Sequence, residues 1–179
     1  MHNIQRNRGY DLIYIDPPWR YSFSRSSSRR IENQYPTMTM NDIASLRVPA
    51  NKNCVMYMWA TAPKLLEALH VMKSWGFEYK THAVWDKRRI GMGYWFRGCH
   101  ELLLVGVKGS MSPPAQCARR SSIFKKVRSV HSKKPELVRR YLESAHPDLS
   151  KVEMFARSKV DGWDSWGNEI DSDVEIGSV

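Results

Sequence analysis

With 179 residues and a formal charge of +10, the chain has the length of one domain and can bury roughly two thirds of its unfolded surface without cross-links. Hydrophobic residues make up 42% and charged residues 26%, which excludes wholesale disorder, and the longest apolar runs, "CVMYMWA" and "LLLVGV", fall far short of the roughly 20 residues that span a bilayer. Cys54, Cys99 and Cys117 are far apart, with no CxxC pair and no zinc spacing, so neither a disulfide framework nor a metal site is expected; a cytoplasmic setting fits and no membrane anchoring is expected.

In chain order, "DLIYI" reads as a short buried strand that ends in "DPPW". The Ser- and Arg-rich "RYSFSRSSSRRIENQYPTM" reads as a long loop, and "TMNDIASL" as a short helix. "NCVMYMWA", residues 53 to 60, is a second interior strand. "TAPKLLEALHVMKSWGF" is an amphipathic helix with Pro63 near its start and Gly76 at its end, its apolar stripe running through Leu65, Leu66, Leu69, Met72 and Trp75. "YKTHAVW" follows as a third strand, so residues 53 to 85 have the length and order of a βαβ crossover. "ELLLVGVKG" is a fourth strand, Ser110 to Val130 a long loop, "KKPELVRRYLESAH" a helix starting at Pro135 with Leu137, Val138, Tyr141 and Leu142 on one face, and "KVEMFA" a fifth strand. Strands alternating with helices predict an α/β fold with a mostly parallel sheet covered on both faces. Residues 1 to 171 form a single domain in this reading, with an acidic tail over 172 to 179.

Charge is unevenly distributed. Lys87 to Arg140 holds 14 basic residues against two acidic ones, whereas residues 161 to 179 hold six acids and no base. A central basic block suits a polyanion, because lysines and arginines that neutralise phosphates release counterions. Tyr94, Trp95 and Phe96 follow directly after "DKRRIGMG", so charge for backbone contact lies beside rings on which bases can stack. The sequence has no GxGxxG and no GxxxxGK[ST], which argues against a nicotinamide enzyme or a P-loop ATPase.

"DPPW" sits at the carboxyl end of a strand, where open α/β sheets bind ligands. Proline lacks a backbone N–H, and the residue before it is pushed out of the helical region, so Asp16, Pro17 and Pro18 present acceptors almost exclusively. Such a corner complements a ligand amino group with two N–H bonds, and Trp19 adds a flat face for an aromatic ring. Adenine has both features.

"DPPW", "QYPTM", "ELLLVGVKG", "SKKPE", "KVEMFARS" and "WGNEID", in this order from about residue 10 to 171, resemble the MT-A family of adenine N6-methyltransferases. The resemblance implies a Rossmann-like methyltransferase sheet in permuted order, with the catalytic strand first and the cofactor strand last. It implies that Asp16 and the Pro17 carbonyl hold the adenine amino group while Pro18 and Trp19 complete the catalytic corner, and that S-adenosylmethionine is the cofactor, with no metal. Lys134 would meet the cofactor's carboxylate, Glu153, Phe155 and Arg157 would surround its adenosine, and Asn168 and Glu169 would bind its ribose. Tyr35, Lys87, Trp95 and Glu101 fall where relatives line the base pocket, and Arg29, Arg30, Arg88, Arg89, Arg119 and Arg120 stand on loops able to meet phosphates. His100 and His131 receive no role.

Three departures from the family pattern matter. Only 15 residues precede Asp16, where longer relatives carry an acidic cofactor-binding segment; Ala156 replaces a common glycine; and Lys159 and Val160 stand where polar cofactor contacts are usual. They leave room for a homodimer or a partner subunit to complete the site. The expected activity is adenine N6-methylation of nucleic acid, DNA favoured over RNA; the alternative is a catalytically silent nucleic-acid-binding subunit, against which the intact "DPPW" counts.

Overall fold

The computed structural model describes residues 9–21, 36–128 and 134–178. β1 (Tyr10–Ile15) and β2 (Ala50–Ala60) are apolar on both faces over most of their length, as strands between two covering layers must be. They pair in parallel at the middle of a seven-stranded sheet completed by β3 (Glu78–Asp86), β4 (His100–Lys108), β5 (Ile123–Lys125), β6 (Lys151–Met154) and β7 (Asp164–Trp166). The order across the sheet is β5–β3–β4–β2–β1–β6–β7. β4 is antiparallel to both its neighbours and every other pairing is parallel, so β4 alone runs against the rest. This is the expected mostly parallel α/β sheet with the "DPPW" strand first in the chain.

Alternation along the strands feeds two cores. Ile13, Ile15, Met56 and Met58 point to the face covered by α1 (Met40–Ala44) and α2 (Leu65–Ser74), where Ile43, Ala68, Val71 and Met72 meet them. Leu12, Tyr14, Tyr57 and Trp59 point to the other face and pack with Val138 and Leu142 of α3 (Glu136–Ala145). Each such side chain, fully buried, contributes about 1.5–3 kcal/mol. α1 begins with a reciprocal cap, Thr39 accepting from the Asp42 amide while the Asp42 carboxylate accepts from Thr39.

Several elements depart from the sequence reading. β2 and β3 run the same way but are not neighbours, because β4 lies between them. In the helix after β2 the expected stripe faces the core through Met72, Trp75 and the partly buried Leu65 and Leu69, with Ala68 and Val71 beside them, whereas Leu66 is 81% exposed. Ala62–Lys64 form a 3₁₀ turn ahead of it, so Pro63 lies in that turn and not in the α-helix itself. The loop expected over 110–130 contains β5, which pairs with β3 and buries only Phe124. β7, also three residues long, was not recognised.

The acidic tail is no loose end. Val174 is buried, the Asp173 amide donates to the Ser165 carbonyl while its carboxylate accepts from the Ser165 amide and pairs with Lys159 at 2.6 Å, and the Arg47 amide donates to the Gly177 carbonyl. Residues 172–178 therefore pack on the domain to which they are attached.

Candidate active site

Six strands share one direction, so the residues that follow them gather at one edge of the sheet. Asp16 follows β1, Thr61 follows β2, Phe155 and Arg157 follow β6, and Asn168 and Glu169 follow β7. Reversed β4 brings its first residues, His100 and Glu101, to the same edge. A cavity of about 180 Å³ opens there, lined by Asp16, Pro17, Pro18, Trp19, Trp59 and Thr61 on one side. Glu101, Lys134, Phe155, Ala156, Arg157, Asn168 and Glu169 line the rest. A cavity of about 150 Å³ takes a benzene ring, so this one admits a ring-sized guest.

Hydrogen bonds fix the corner's shape. The Trp19 amide donates to the Pro17 carbonyl at 2.9 Å, and the Met38 amide donates to the Pro18 carbonyl at 2.9 Å. Trp19 is 5% exposed and donates its indole N–H to the Trp59 carbonyl at 3.2 Å. "QYPTM" thus has a physical task here, since its Met38 clamps the second proline. The acceptor-only reading needs one correction: the Pro17 and Pro18 carbonyls each spend a lone pair inside the protein. Pro17 keeps its second lone pair for a ligand.

Charge at the cavity is organised as a chain. Lys134 Nζ lies 2.9 Å from Asp16 Oδ1 and 3.1 Å from Glu101 Oε2, while Lys87 Nζ lies 3.1 Å from Glu101 Oε1. Burial raises the Asp16 carboxyl above the ordinary aspartate range, against the pull of the Lys134 ammonium. Burial acts the same way on Glu101, but Lys134 and Lys87 together overcome it and hold Glu101 below its usual range. For Lys134, burial pulls downward and the carboxylates of Asp16 and Glu101 more than offset it, keeping the ammonium charged. The asymmetry has a simple origin: Glu101 has two cations, whereas Asp16 shares one. Asp16 Oδ2 takes no hydrogen bond from any described residue, and the lysine keeps one of its three donors.

On the far side, Phe155 adopts φ 59° directly after β6, a left-handed backbone that non-glycine residues rarely take, and its ring meets Trp166 edge-on at 5.0 Å. The Ala156 amide donates to the Trp166 carbonyl at 2.9 Å, and Gly167 lies so close that a Cβ there would stand 2.1 Å from the Ala156 carbonyl oxygen. Gly167, not residue 156, is therefore the position that must lack a side chain for the two backbones to meet, and Ala156 lines the cavity.

The cavity gathers Asp16, Pro17, Pro18, Trp19, Glu101, Lys134, Phe155, Arg157, Asn168 and Glu169 from the sequence-based expectations. Glu153 does not reach it. Its carboxylate is 2.9 Å from Arg139 on α3, and the pair ties that helix to β6. Trp95 is 95% exposed at a loop tip, outside the cavity lining, and Lys87 reaches the cavity only through Glu101. Arg88 and Arg89 are exposed on the same loop. Arg119 donates to the Pro114 carbonyl, and Arg120 lies over the Phe124 and Tyr141 rings at 5.2 and 5.6 Å. Tyr35, Arg29, Arg30 and His131 lie outside the described residues. Tyr21, Trp59 and Thr61 also line the cavity, and sequence reading passed them over. For Thr61 the signal was available: like Asp16, it is the first residue beyond an apolar strand. No group of three or more His, Cys, Asp or Glu among the described residues is placed to hold a metal, and no described helix is long and apolar enough to cross a membrane.

The MT-A70 family model matches residues 10–169. The chain is 35% identical over 188 residues to the Type II methyltransferase M.MunI of Mycoplasma sp, covering 93% of this chain and 81% of that protein. It is 28% identical over 172 residues to a putative N(6)-adenosine-methyltransferase MT-A70-like protein of Medicago truncatula, and 27% identical over 173 residues to the N(6)-adenosine-methyltransferase catalytic subunit METTL3 of Homo sapiens. Both matches cover 90% of this chain, which spans 26% and 28% of those two proteins.

Proposed function

The chain belongs to the MT-A70 family, and from that premise we propose that it methylates the N6 amino group of adenine in nucleic acid, with S-adenosylmethionine as donor and DNA favoured over RNA. The observation that carries the reading is the Asp16 corner: a carboxyl group with one oxygen held by Lys134 and the other open, beside a proline carbonyl with a lone pair to spare, at the wall of a ring-sized cavity. The DNA preference follows M.MunI, the relative whose length the chain most nearly spans among those named.

Adenine's amino lone pair is delocalised into its ring, and the nitrogen is a poor nucleophile. Asp16 Oδ2 and the Pro17 carbonyl, as two fixed acceptors, take its two N–H bonds and orient the nitrogen. Well-oriented groups can recover about 7–11 kcal/mol of barrier. Trp19 and Trp59, held by their mutual hydrogen bond, set the wall against which the base rests. Lys134 opposes the burial that raises the Asp16 carboxyl, and its remaining N–H suits the carboxylate of the donor molecule. Phe155 and exposed Asn168 and Glu169 offer an aromatic face and ribose-binding groups at the cavity mouth, so the residues present fit S-adenosylmethionine. When bound, that molecule supplies a methyl group already activated on a sulfonium. Ligand pockets usually measure about 300–1,000 Å³, so donor and base together extend beyond the 180 Å³ cavity, past its exposed rim of Arg157, Asn168 and Glu169.

The test is tritium transfer from S-adenosylmethionine to adenine-containing DNA and RNA by the parent and by Asp16→Ala, with donor binding followed by calorimetry. Transfer by the parent alone, with donor binding retained in both, is expected. Unchanged incorporation by a folded Asp16→Ala protein removes the mechanism, and donor binding by neither favours the silent-subunit alternative.

A further inference from the structure

Between β3 and β4 the chain leaves the sheet edge as the loop 87–99, and its tip is unlike the rest of the surface. Ile90, Met92, Tyr94, Trp95 and Phe96 are 77%, 77%, 81%, 95% and 90% exposed, five of the nine large exposed hydrophobic residues described. Soluble domains rarely leave such a contiguous apolar group uncovered without a use for it. The tip is also stiff. Two backbone bonds cross its neck, with the Gly91 amide donating to the Gly98 carbonyl at 2.8 Å and the Gly98 amide to the Met92 carbonyl at 3.1 Å. Arg97 Nε donates to the Gly91 carbonyl at 2.8 Å, and Gly93 is folded so tightly that a Cβ would stand 1.9 Å from the Phe96 carbonyl oxygen. A preformed projection loses little conformational entropy when it meets a partner.

Charge selects the partner. Lys87, Arg88, Arg89 and Arg97 flank the apolar tip, and no acidic residue occurs from 87 to 100. Lys87 pairs with Glu101 and Arg88 with Asp86 at the loop's root, but aromatic and apolar side chains beside an excess of cations match a nucleic acid, with stacking surface for bases and positive charge for phosphates. The root of the loop is wired to the Asp16 corner through Lys87, Glu101 and Lys134, whose three contacts measure 3.1, 3.1 and 2.9 Å. Asp16 itself is recessed in a cavity lined by Trp19 and Trp59, so an adenine stacked in a duplex cannot reach it without leaving the helix.

Resting on the reading that adenine in nucleic acid is the substrate, we propose that the loop tip, Tyr94, Trp95 and Phe96 above all, is a wedge that enters duplex DNA and fills the place of the target adenine once that base has turned out toward Asp16. Apolar side chains inserted between base steps are an established way to unstack a duplex, and rings that stack in the gap repay part of the lost stacking. The loop is thus a determinant of substrate form: it favours extrusion from a duplex and matters less for a base already unpaired.

The experiment compares the parent with Trp95→Ala/Phe96→Ala on the same genomic DNA, native and heat-denatured, by tritium transfer at fixed salt. The ratio of native to denatured rates is expected to fall by about tenfold in the variant, within the range that a lost base–aromatic stack supplies. A duplex in which adenines face abasic positions should restore most of the variant's rate, because those bases are extruded at little cost. An equal loss on native and denatured DNA, or no loss, overturns the wedge. So does a halving of the particle mass by light scattering on substitution, which assigns the tip to a second copy of the chain. A parent inactive on both forms of DNA and on RNA overturns the methyltransferase reading and the wedge with it, whereas a parent active only on denatured DNA overturns the wedge alone.

Discussion

Replacing Lys134 and replacing Glu101 in the charge chain should move the acid limb of the pH–rate profile in opposite directions. In the proposed reaction Asp16 works as a carboxylate, because its protonated form loses an acceptor. Burial raises its pKa, and Lys134 at 2.9 Å is the principal counterweight. Lys134→Met removes that counterweight while leaving Asp16 buried and close to Glu101. An opposite charge at this range is worth about 1–3 pKa units, or roughly 1.4–4 kcal/mol at 1.36 kcal/mol per unit. Activity carried by the ionised form is present above the Asp16 pKa and lost as pH falls through it, so Lys134→Met moves the loss toward neutrality by about 1–3 units. Glu101→Gln acts with the other sign: it removes a negative charge that raises Asp16 and leaves the lysine to Asp16 alone. The limb should then move to lower pH by a smaller amount, since Glu101 ranks behind burial and Lys134 among the causes. The assay is kcat for methyl transfer from about pH 5 to 8 at saturating donor, because Lys134 also serves the donor's carboxylate in the proposed site. The position of the limb is read, not its height. Limbs that shift in the same direction, or stay in place, refute the shared-cation account of the corner.

Three further outcomes follow from the packing. Gly167→Ala forces a Cβ against the Ala156 backbone at 2.1 Å, and should cost about 1–3 kcal/mol while weakening donor binding; an unchanged melting temperature contradicts that close approach. Arg139→Met should cost about 3 kcal/mol by leaving the half-buried Glu153 carboxylate unpaired, and adding Glu153→Leu should recover most of it. If Glu153→Gln instead weakens donor binding without loss of stability, the family's assignment of that residue to the adenosine holds. Burial lowers the pKa of His146 from 6.5, so its neutral ring shares a 2.8 Å hydrogen bond with the Tyr57 hydroxyl. The unfolded chain then binds more protons, and this stabilisation is present above about pH 6.5 and lost as pH falls below it. Denaturant titrations of the parent and His146→Phe should therefore differ in slope against pH in that window, and parallel curves would remove His146 as the cause.

What could be read from the sequence is what local pattern controls. The continuous apolar runs of β1 and β2 announce strands buried on both faces, and the punctuation of Pro63, Gly76 and Pro135 brackets the longer helices. "DPPW" states its chemistry through proline's missing donor. Three-residue β5 and β7 carry too few side chains to show a period, and they become strands only because β3 and β6 offer free edges. In α2 the stripe was legible except at Leu66, which hydropathy alone would bury and which the structure leaves exposed. Likewise the partners of Lys134 lie far from it in the chain, and Glu153 was drawn away from the cavity by an arginine on another element. Long-range pairing of charges leaves no periodic trace.

The reversal of β4 explains why the site has the parts it has. Were β4 parallel to β2 and β3, the connection between β3 and β4 would have to cross back over the sheet, and the first residues of β4 would lie at the opposite edge. Running against its neighbours, β4 returns directly, so Asp86 pairs with His100 and the short connection projects from the carboxyl edge. One change of direction thus places three things together: Glu101 beside Lys134, Lys87 beside Glu101, and the exposed tip of Tyr94, Trp95 and Phe96 on the same stem. The positive charge that steadies Asp16 and the surface suited to displacing a base are consequences of the same strand reversal. A substitution at Lys87 should accordingly affect both, moving the acid limb through Glu101 and loosening the loop's attachment to the sheet.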